Sequence, residues 1–269
     1  MKDAKILYIC SEITPYLPET EISAICRHLP QAIQEMGNEI RTFVPHYGCI
    51  NDRRHQLHEV IRLSGINLII DDNDHPLLIK VASISSARMQ VYFIDNEDFF
   101  RRKQMFTDEE TEAFFEDNDE RAIFFARGVL ETIKKLQWIP DIIHCHGWFS
   151  YMVPLFLRKA YKDDILLNDS KIILSLYNDK FDGTFSNNLD KKLLSKSIKS
   201  KHIETLTAKP DYEHFVKFAI DHSDGFVFGS KKIGKKIDEY VRNTGKHILE
   251  YQDAKNDNQN YADFYDKFL

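Results

Sequence analysis

Two histidines, a glycine and a tryptophan close an apolar run at Asp141-Ile-Ile-His-Cys-His-Gly-Trp148, and this is where the sequence first offers chemistry. Side chains alternate along a strand, so His144 and His146 share one face and Cys145 takes the other. A His-x-His pair has three uses: metal ligation, a hydrogen-bonded pair in the core, or a substrate contact, here from His146. Zinc needs about four protein ligands in a structural site and about three in a catalytic one. No third ligand is signalled nearby, so neither a metal nor another cofactor is expected. The polar end of such a strand in an α/β protein opens on a crevice where ligands bind.

The surrounding pattern supplies the elements that would carry that strand. Ile6 to Cys10 reads as a buried first strand, Ile22 to Met36 as a helix ended by Gly37, and Glu39 to Pro45 as a second strand. Strand-like segments follow at 59–63, 67–70 and 77–84, with 71–74 as a turn, and their close spacing suggests an antiparallel insertion. A strand at 89–94 precedes the clearest amphipathic helix, 117–136, and Pro140 closes that helix before the motif strand. Thereafter 148–160 reads as a helix, 171–176 as a strand, 212–221 as a helix, 225–229 as a strand and 231–241 as a helix. Residues 186–209, rich in lysine and serine, read as a mobile helix or lid-like loop, serving either as a substrate lid or as a solvated connection. The alternation predicts an α/β fold: a Rossmann-like, doubly wound, mostly parallel sheet with a small antiparallel insertion. Residues 1–250 would form the domain. The tail 251–269 would be a helix packed on it or docked on a partner, with Tyr261, Phe264, Tyr265 and Phe268 on one face.

Composition narrows the function class. Thirty-six basic against 42 acidic residues give a net charge of -6, which argues against nucleic acid or an anionic membrane as partner. The four cysteines are widely spaced, so reduced thiols are expected. The apolar run after Met1 is too short for a secretory signal, and no run approaches the ~20 residues that span a bilayer. A cytoplasmic protein is the expectation. Neither GxGxxG, nor GxxxxGK[ST], nor GxSxG is present.

Several blocks together carry a resemblance. Ile6-Leu-Tyr-Ile-Cys-Ser-Glu-Ile-Thr-Pro-Tyr16, Leu29-Pro-Gln-Ala-Ile33, Val44-Pro-His-Tyr-Gly48, Val91-Tyr-Phe-Ile-Asp-Asn96, Asp117-Asn-Asp-Glu-Arg121 and Pro140 to Trp148 resemble, in order, the N-terminal half of bacterial glycogen and starch synthases. Those enzymes form glycosyltransferase family five and have the GT-B fold of two Rossmann-like domains. The resemblance covers nearly the whole chain and implies one half of a GT-B architecture. Asn178 with Phe181, Gly183 and Phe185 is similar to the family's His-Asn-x-x-Tyr-Gln-Gly-x-Phe segment, with Tyr177 in place of its histidine.

What the resemblance implies about the site can be put residue by residue. His146 matches the second histidine of the family's His-x-His-Asp-Trp and is the catalytic candidate, while Gly147 replaces the aspartate. Trp148 and Tyr16 are candidates for stacking against a sugar. Glu12, Tyr177 and Asn178 are candidates for hydrogen bonds to it. Pro18-Glu-Thr-Glu-Ile22 stands where the family has the Lys-Thr-Gly-Gly-Leu loop that contacts the sugar nucleotide, and Glu19 and Glu21 there would repel a diphosphate. The family's second domain would begin where this sequence ends. The expected function is therefore an acceptor-side domain in α-glucan metabolism, binding an α-glucan or maltooligosaccharide as an accessory and poorly active alone. Two alternatives stand beside it: a retaining ADP-glucose-dependent 4-α-glucosyltransferase completed by a partner chain, and a non-catalytic module that binds a protein or a second copy of itself as a homo-oligomer.

Overall fold

The computed structural model describes residues 2–253 and 258–269. The chain opens as β1 (Lys5–Cys10), α1 (Glu21–Glu35) and β2 (Glu39–Pro45). Next come α2 (Asp52–His55), β3 (His58–Glu59), β4 (Ile66–Ile70), β5 (Asn73–Ile84) and β6 (Met89–Asp95). Then follow α3 (Glu97–Phe100), α4 (Asn118–Leu136), β7 (Ile142–His146), α5 (Val153–Leu155) and β8 (Lys171–Leu176). The rest is α6 (Leu189–Leu193), α7 (Ser200–Ala208), α8 (Tyr212–Asp221), β9 (Gly225–Phe228), α9 (Lys235–Asn243), β10 (His247–Leu249) and α10 (Asn258–Tyr265).

Among the described residues the strands run in the order β10-β9-β8-β7-β1-β2-β6-β5-β3, with β4 paired to β5. From β10 to β6 every pairing is parallel, and β5 runs antiparallel to β6, β3 and β4. This is the mostly parallel sheet with an antiparallel insertion that the alternation predicts. Central strands such as β1 are buried from Ile6 to Cys10, as a strand covered on both faces must be.

Crossover handedness decides which face each helix covers. The step from β1 to β2 moves one way along the sheet, and the steps from β6 to β7, β8, β9 and β10 move the other way. Right-handed connections therefore put α1 on one face and α4, α5, α8 and α9 on the opposite one. The packing follows: α4 touches α5 and α6, α8 touches α7 and α9, and α1 touches α10. Without α10, the α1-side face of β7, β8 and β9 would be left bare. Helix α10 fills it with buried Tyr261, Phe264 and Tyr265, and the Phe268 ring stands 2.3 Å from where a Cβ on Gly225 would lie. Of the expected tail, residues 254–257 lie outside the described residues.

Several segments differ from the pattern reading. The expected helix over 148–160 is a 3₁₀ turn at Trp148–Ser150, the short α5, and a π-helical turn at Phe156–Ala160. Pro154, which lacks a backbone donor, breaks the ladder there. Helix α9 starts at Lys235 rather than 231, with Gly234 as its N-cap residue. Of the 59–63 region only Glu59 is strand, which with His58 makes up β3, and Val60 to Leu63 form a turn. Gln137 in the left-handed region, not Pro140, ends α4. Segment 186–209 contains α6 and α7, and buried Lys192 pins it to α4 through Asp119 (2.9 Å) and Glu120 (2.7 Å). Strand β10 was not foreseen, being three residues long and weakly patterned.

Tyr265 should reveal how much the sheet depends on α10. Tyr265→Ala is expected to cost about 3–5 kcal/mol in urea unfolding. Tyr265→Phe, which removes only the hydroxyl, should cost about 1–3 kcal/mol, through the buried groups it leaves unpaired.

Candidate functional site

Strand β7 lies between β1 and β8, so its two histidines sit at the centre of the sheet. Both point toward α1 and α10, their ring centroids 4.0 Å apart, and neither has any exposed surface. His144 hydrogen-bonds the Tyr265 hydroxyl through Nδ1 (2.6 Å) and Ser175 Oγ through Nε2 (2.8 Å). His146 Nδ1 bonds the Tyr177 hydroxyl at 2.7 Å, and its Nε2 has no hydrogen-bond partner. Burial in this apolar layer lowers both pKa values, His146 to about 3 and His144 well below the usual imidazole range. Both are therefore neutral core residues at pH 7. As folded, the catalytic candidate His146 and its partner Tyr177 hydroxyl face the layer under α1, because strand alternation puts His146 on that face of the sheet and Cys145 on the other.

The crevice forms where β1, β7, β8 and β9 end. A cavity of about 410 Å³ is lined there by Glu12, Phe106, Phe114, Trp148, Asp179 and Phe181, among others. A second, of about 440 Å³, includes Tyr177, Asn178 and Tyr212 in its wall and shares Lys180, Phe181 and Asp182 with the first. Glu12 and Trp148 thus meet at one cavity, and Tyr177 and Asn178 at the other. His146 and Tyr16 line neither. Tyr16, the other stacking candidate, is packed edge-on against Phe93 (4.9 Å) and His55 (5.0 Å).

Trp148 is held by both backbone and ring. Its N–H donates to Asp179 Oδ2 (2.8 Å), whose Oδ1 accepts from the Tyr212 hydroxyl (2.7 Å). Burial pushes the Asp179 carboxyl up. The indole packs against Phe106 (4.8 Å) and Phe181 (4.7 Å) and is only 3% exposed, so little more than an edge reaches the cavity. Half-buried Phe106 and Phe114 offer more ring face. The strand end itself depends on Gly147, at φ +82° and ψ 152°, where a Cβ would meet Ser11 Oγ at 2.3 Å.

Phe106 and Phe114 come from a flap, residues 101–117, that sequence reasoning left unassigned. The flap is tied down by the Arg102–Asp117 fork (2.6 and 2.7 Å), by Arg121 Nη1 donating to Met105 O (2.7 Å), and by Asn118 Nδ2 donating to Phe106 O (2.8 Å). Three aromatic residues, Phe106, Phe114 and Phe115, inside so charged a stretch were the available signal. Around the cavity, Glu12, Glu112, Asp179 and Asp182 outnumber the single cation, Lys180. Carboxylates accept hydrogen bonds from hydroxyls and aromatic rings pack on C–H faces, so this lining suits an uncharged, hydroxyl-rich ligand. Burial also raises the Glu12 pKa. Among the described residues no three His, Cys, Asp or Glu side chains are grouped to hold a metal ion.

Comparison with known proteins gives concordant matches. Residues 5–249 match the family described as the starch synthase catalytic domain. A glycogen synthase of Chlorobium limicola is 37% identical over 199 residues, 74% of this chain and 41% of that protein. Those of Chlorobium phaeobacteroides and Chlorobaculum tepidum are 34% and 35% identical over 236 residues, 88% of this chain and 47% and 48% of theirs. This chain therefore spans about half the length of these relatives. Among solved structures, the catalytic domain of starch synthase IV from Arabidopsis thaliana, bound to ADP and acarbose, superposes with a TM-score of 0.75 at 20% identity. That match covers 94% of this chain and 52% of the other.

Two stability measurements probe this arrangement. Gly147→Asp should lower stability by about 1–3 kcal/mol or more, seen as a drop in thermal midpoint, because the backbone there is strained for any side chain. The pKa values of His144 and His146 are depressed in the folded state, so the unfolded chain binds more protons below about pH 6.5. Stability should therefore fall as pH drops from 6.5 toward 4, by up to about 1.4 kcal/mol per pH unit for each histidine. Urea unfolding at a series of pH values measures the slope, and His146→Gln should reduce it.

Proposed function

This chain belongs to the starch synthase catalytic domain family, and on that premise we propose that it holds an α-glucan chain as the acceptor-side half of a GT-B fold. In this reading residues 1–250 are the domain and the tail 251–269 adds the packing helix α10, Asn258–Tyr265. The protein acts in the cytoplasm as a glucan-binding or accessory component of glycogen metabolism, poorly active alone. The observation that carries the reading is the crevice at the strand ends, with the rings of Phe106, Phe114 and Phe181 beside the carboxylates of Glu12, Glu112 and Asp179. Such a lining matches the alternating C–H faces and hydroxyls of a glucose polymer. No described helix is long and apolar enough to cross a membrane.

A second reading is favoured by the starch synthase IV structure, which is bound to ADP and acarbose. By it, this chain would be the acceptor half of an ADP-glucose-dependent 4-α-glucosyltransferase completed by a partner chain. The donor would then have to meet a cavity whose charged side chains, Lys180 apart, are all carboxylates, and for that reason we place this reading second.

Intrinsic fluorescence separates the two. Trp138 lies away from the crevice, its Nε1 donating to Glu39 at 2.6 Å, so Trp138→Phe leaves Trp148 as the sole reporter. Titration with maltoheptaose is expected to give a saturable change, weakened about fivefold or more in Glu12→Gln. Saturation by ADP-glucose in place of maltoheptaose would favour the enzyme reading, and silence toward both would remove the glucan assignment.

A further inference from the structure

The N-terminus of α1 opens on the same crevice, and there the chain supplies its own anions. Thr20 is the N-cap residue: its Oγ1 accepts from the Ser23 N–H (3.0 Å) and donates to Glu12 Oε2 (2.7 Å). Glu21, in the first turn, reaches across to β9, where its Oε2 accepts from the Ser230 hydroxyl at 2.5 Å. Ser230 Oγ in turn accepts the Asn178 N–H at 3.1 Å, so one carboxylate joins α1 to the ends of β8 and β9. A helix N-terminus at the strand ends of a parallel sheet is where an external anion would ordinarily be received. Here the positive end of the helix dipole already has two side-chain carboxylates beside it.

We propose that Glu21, backed by Glu12, is the specificity-determining residue of this crevice. Its carboxylate holds the position in which an anionic group would meet the α1 N-terminus, so uncharged polyhydroxylated ligands are admitted and diphosphates are turned away. Two features support this independently. The adjoining cavity is electronegative, with Glu112, Asp179 and Asp182 opposed by Lys180 alone. The Glu21–Ser230–Asn178 connection also fixes the carboxylate in place, whereas neighbouring Glu19, exposed like Glu21, has no such partner among the described residues. The inference rests on the glucan reading for the ligand that is admitted, but not for the one that is excluded.

The test is calorimetric titration of the full chain with inorganic pyrophosphate and, separately, with maltoheptaose. The proteins are wild type, Glu21→Gln and Glu19→Gln, each first checked by thermal melting. Glutamine at 21 keeps an acceptor for Ser230 and removes only the charge. Pyrophosphate should bind Glu21→Gln at least about tenfold more tightly than wild type, the scale of one unit charge at short range near a protein surface. Glu19→Gln should gain about threefold or less, and maltoheptaose affinity should stay within about threefold throughout. Equal pyrophosphate affinity in wild type and Glu21→Gln, or an equal gain in Glu19→Gln, would overturn the assignment of Glu21. Failure of all three proteins to bind maltoheptaose would strike the glucan reading alone, and the pyrophosphate ratios would still decide the role of Glu21.

Discussion

A parallel sheet must be covered on both faces, and in this protein the connections alone leave one face unfinished. Successive right-handed crossovers carry α4, α5, α8 and α9 to a single side, while α1 by itself cannot span β7, β8 and β9 on the other. The buried contact between Tyr265 of α10 and His144 of β7 closes that gap. Around it, Tyr8, Ser175, His146 and Tyr177 join a layer of polar groups with almost no access to water. Inside a low-dielectric layer each such hydrogen bond is strong, and each lost partner is costly. The centre of the sheet is therefore held by geometry as much as by apolar burial.

The same layer divides the molecule functionally. Groups on the α1 side of β7 are locked in mutual hydrogen bonds and kept uncharged, which is a poor environment for a residue that must exchange protons or meet a ligand. Groups at the strand ends are free to face outward. There Gly147 takes a backbone conformation closed to other residues, and the chain turns so that the Trp148 N–H reaches Asp179. The lining of the crevice is then assembled from segments far apart in sequence: Glu12 after β1, the flap before α4, and the 178–185 stretch after β8.

Charge gives that surface its character. Buried Arg121 and half-buried Arg102 are spent on holding the flap, Lys192 on anchoring α6, and Lys180 is left facing four carboxylates. The cavity is consequently acidic and aromatic, although the chain as a whole carries only a modest negative charge. Glu21 extends this character to the N-terminus of α1, where its bond to Ser230 joins a helix to two strand ends.

Much of this was written in local pattern. The near-continuous apolar runs of β1, β7 and β8, the stripe of α1 and the long amphipathic α4 fixed the α/β alternation, because periodicity follows from which face each residue must bury. Glu12 and Trp148 could be named from their place beside strand ends. Local pattern could not say that His146 turns inward or that Tyr16 packs against Phe93, because both depend on which element lies over each face. Nor could it bring Phe106 and Phe114 onto Trp148, since a flap's resting place depends on Asn118 and Arg121 reaching back to its carbonyls. The sequence by itself determined the order and type of the main strands and helices of the parallel sheet and the ancestry they share. Tertiary structure decided which side chains line the crevice and which are sealed in the sheet, because that depends on contacts between residues more than a hundred positions apart, such as His144 with Tyr265 and Glu21 with Ser230.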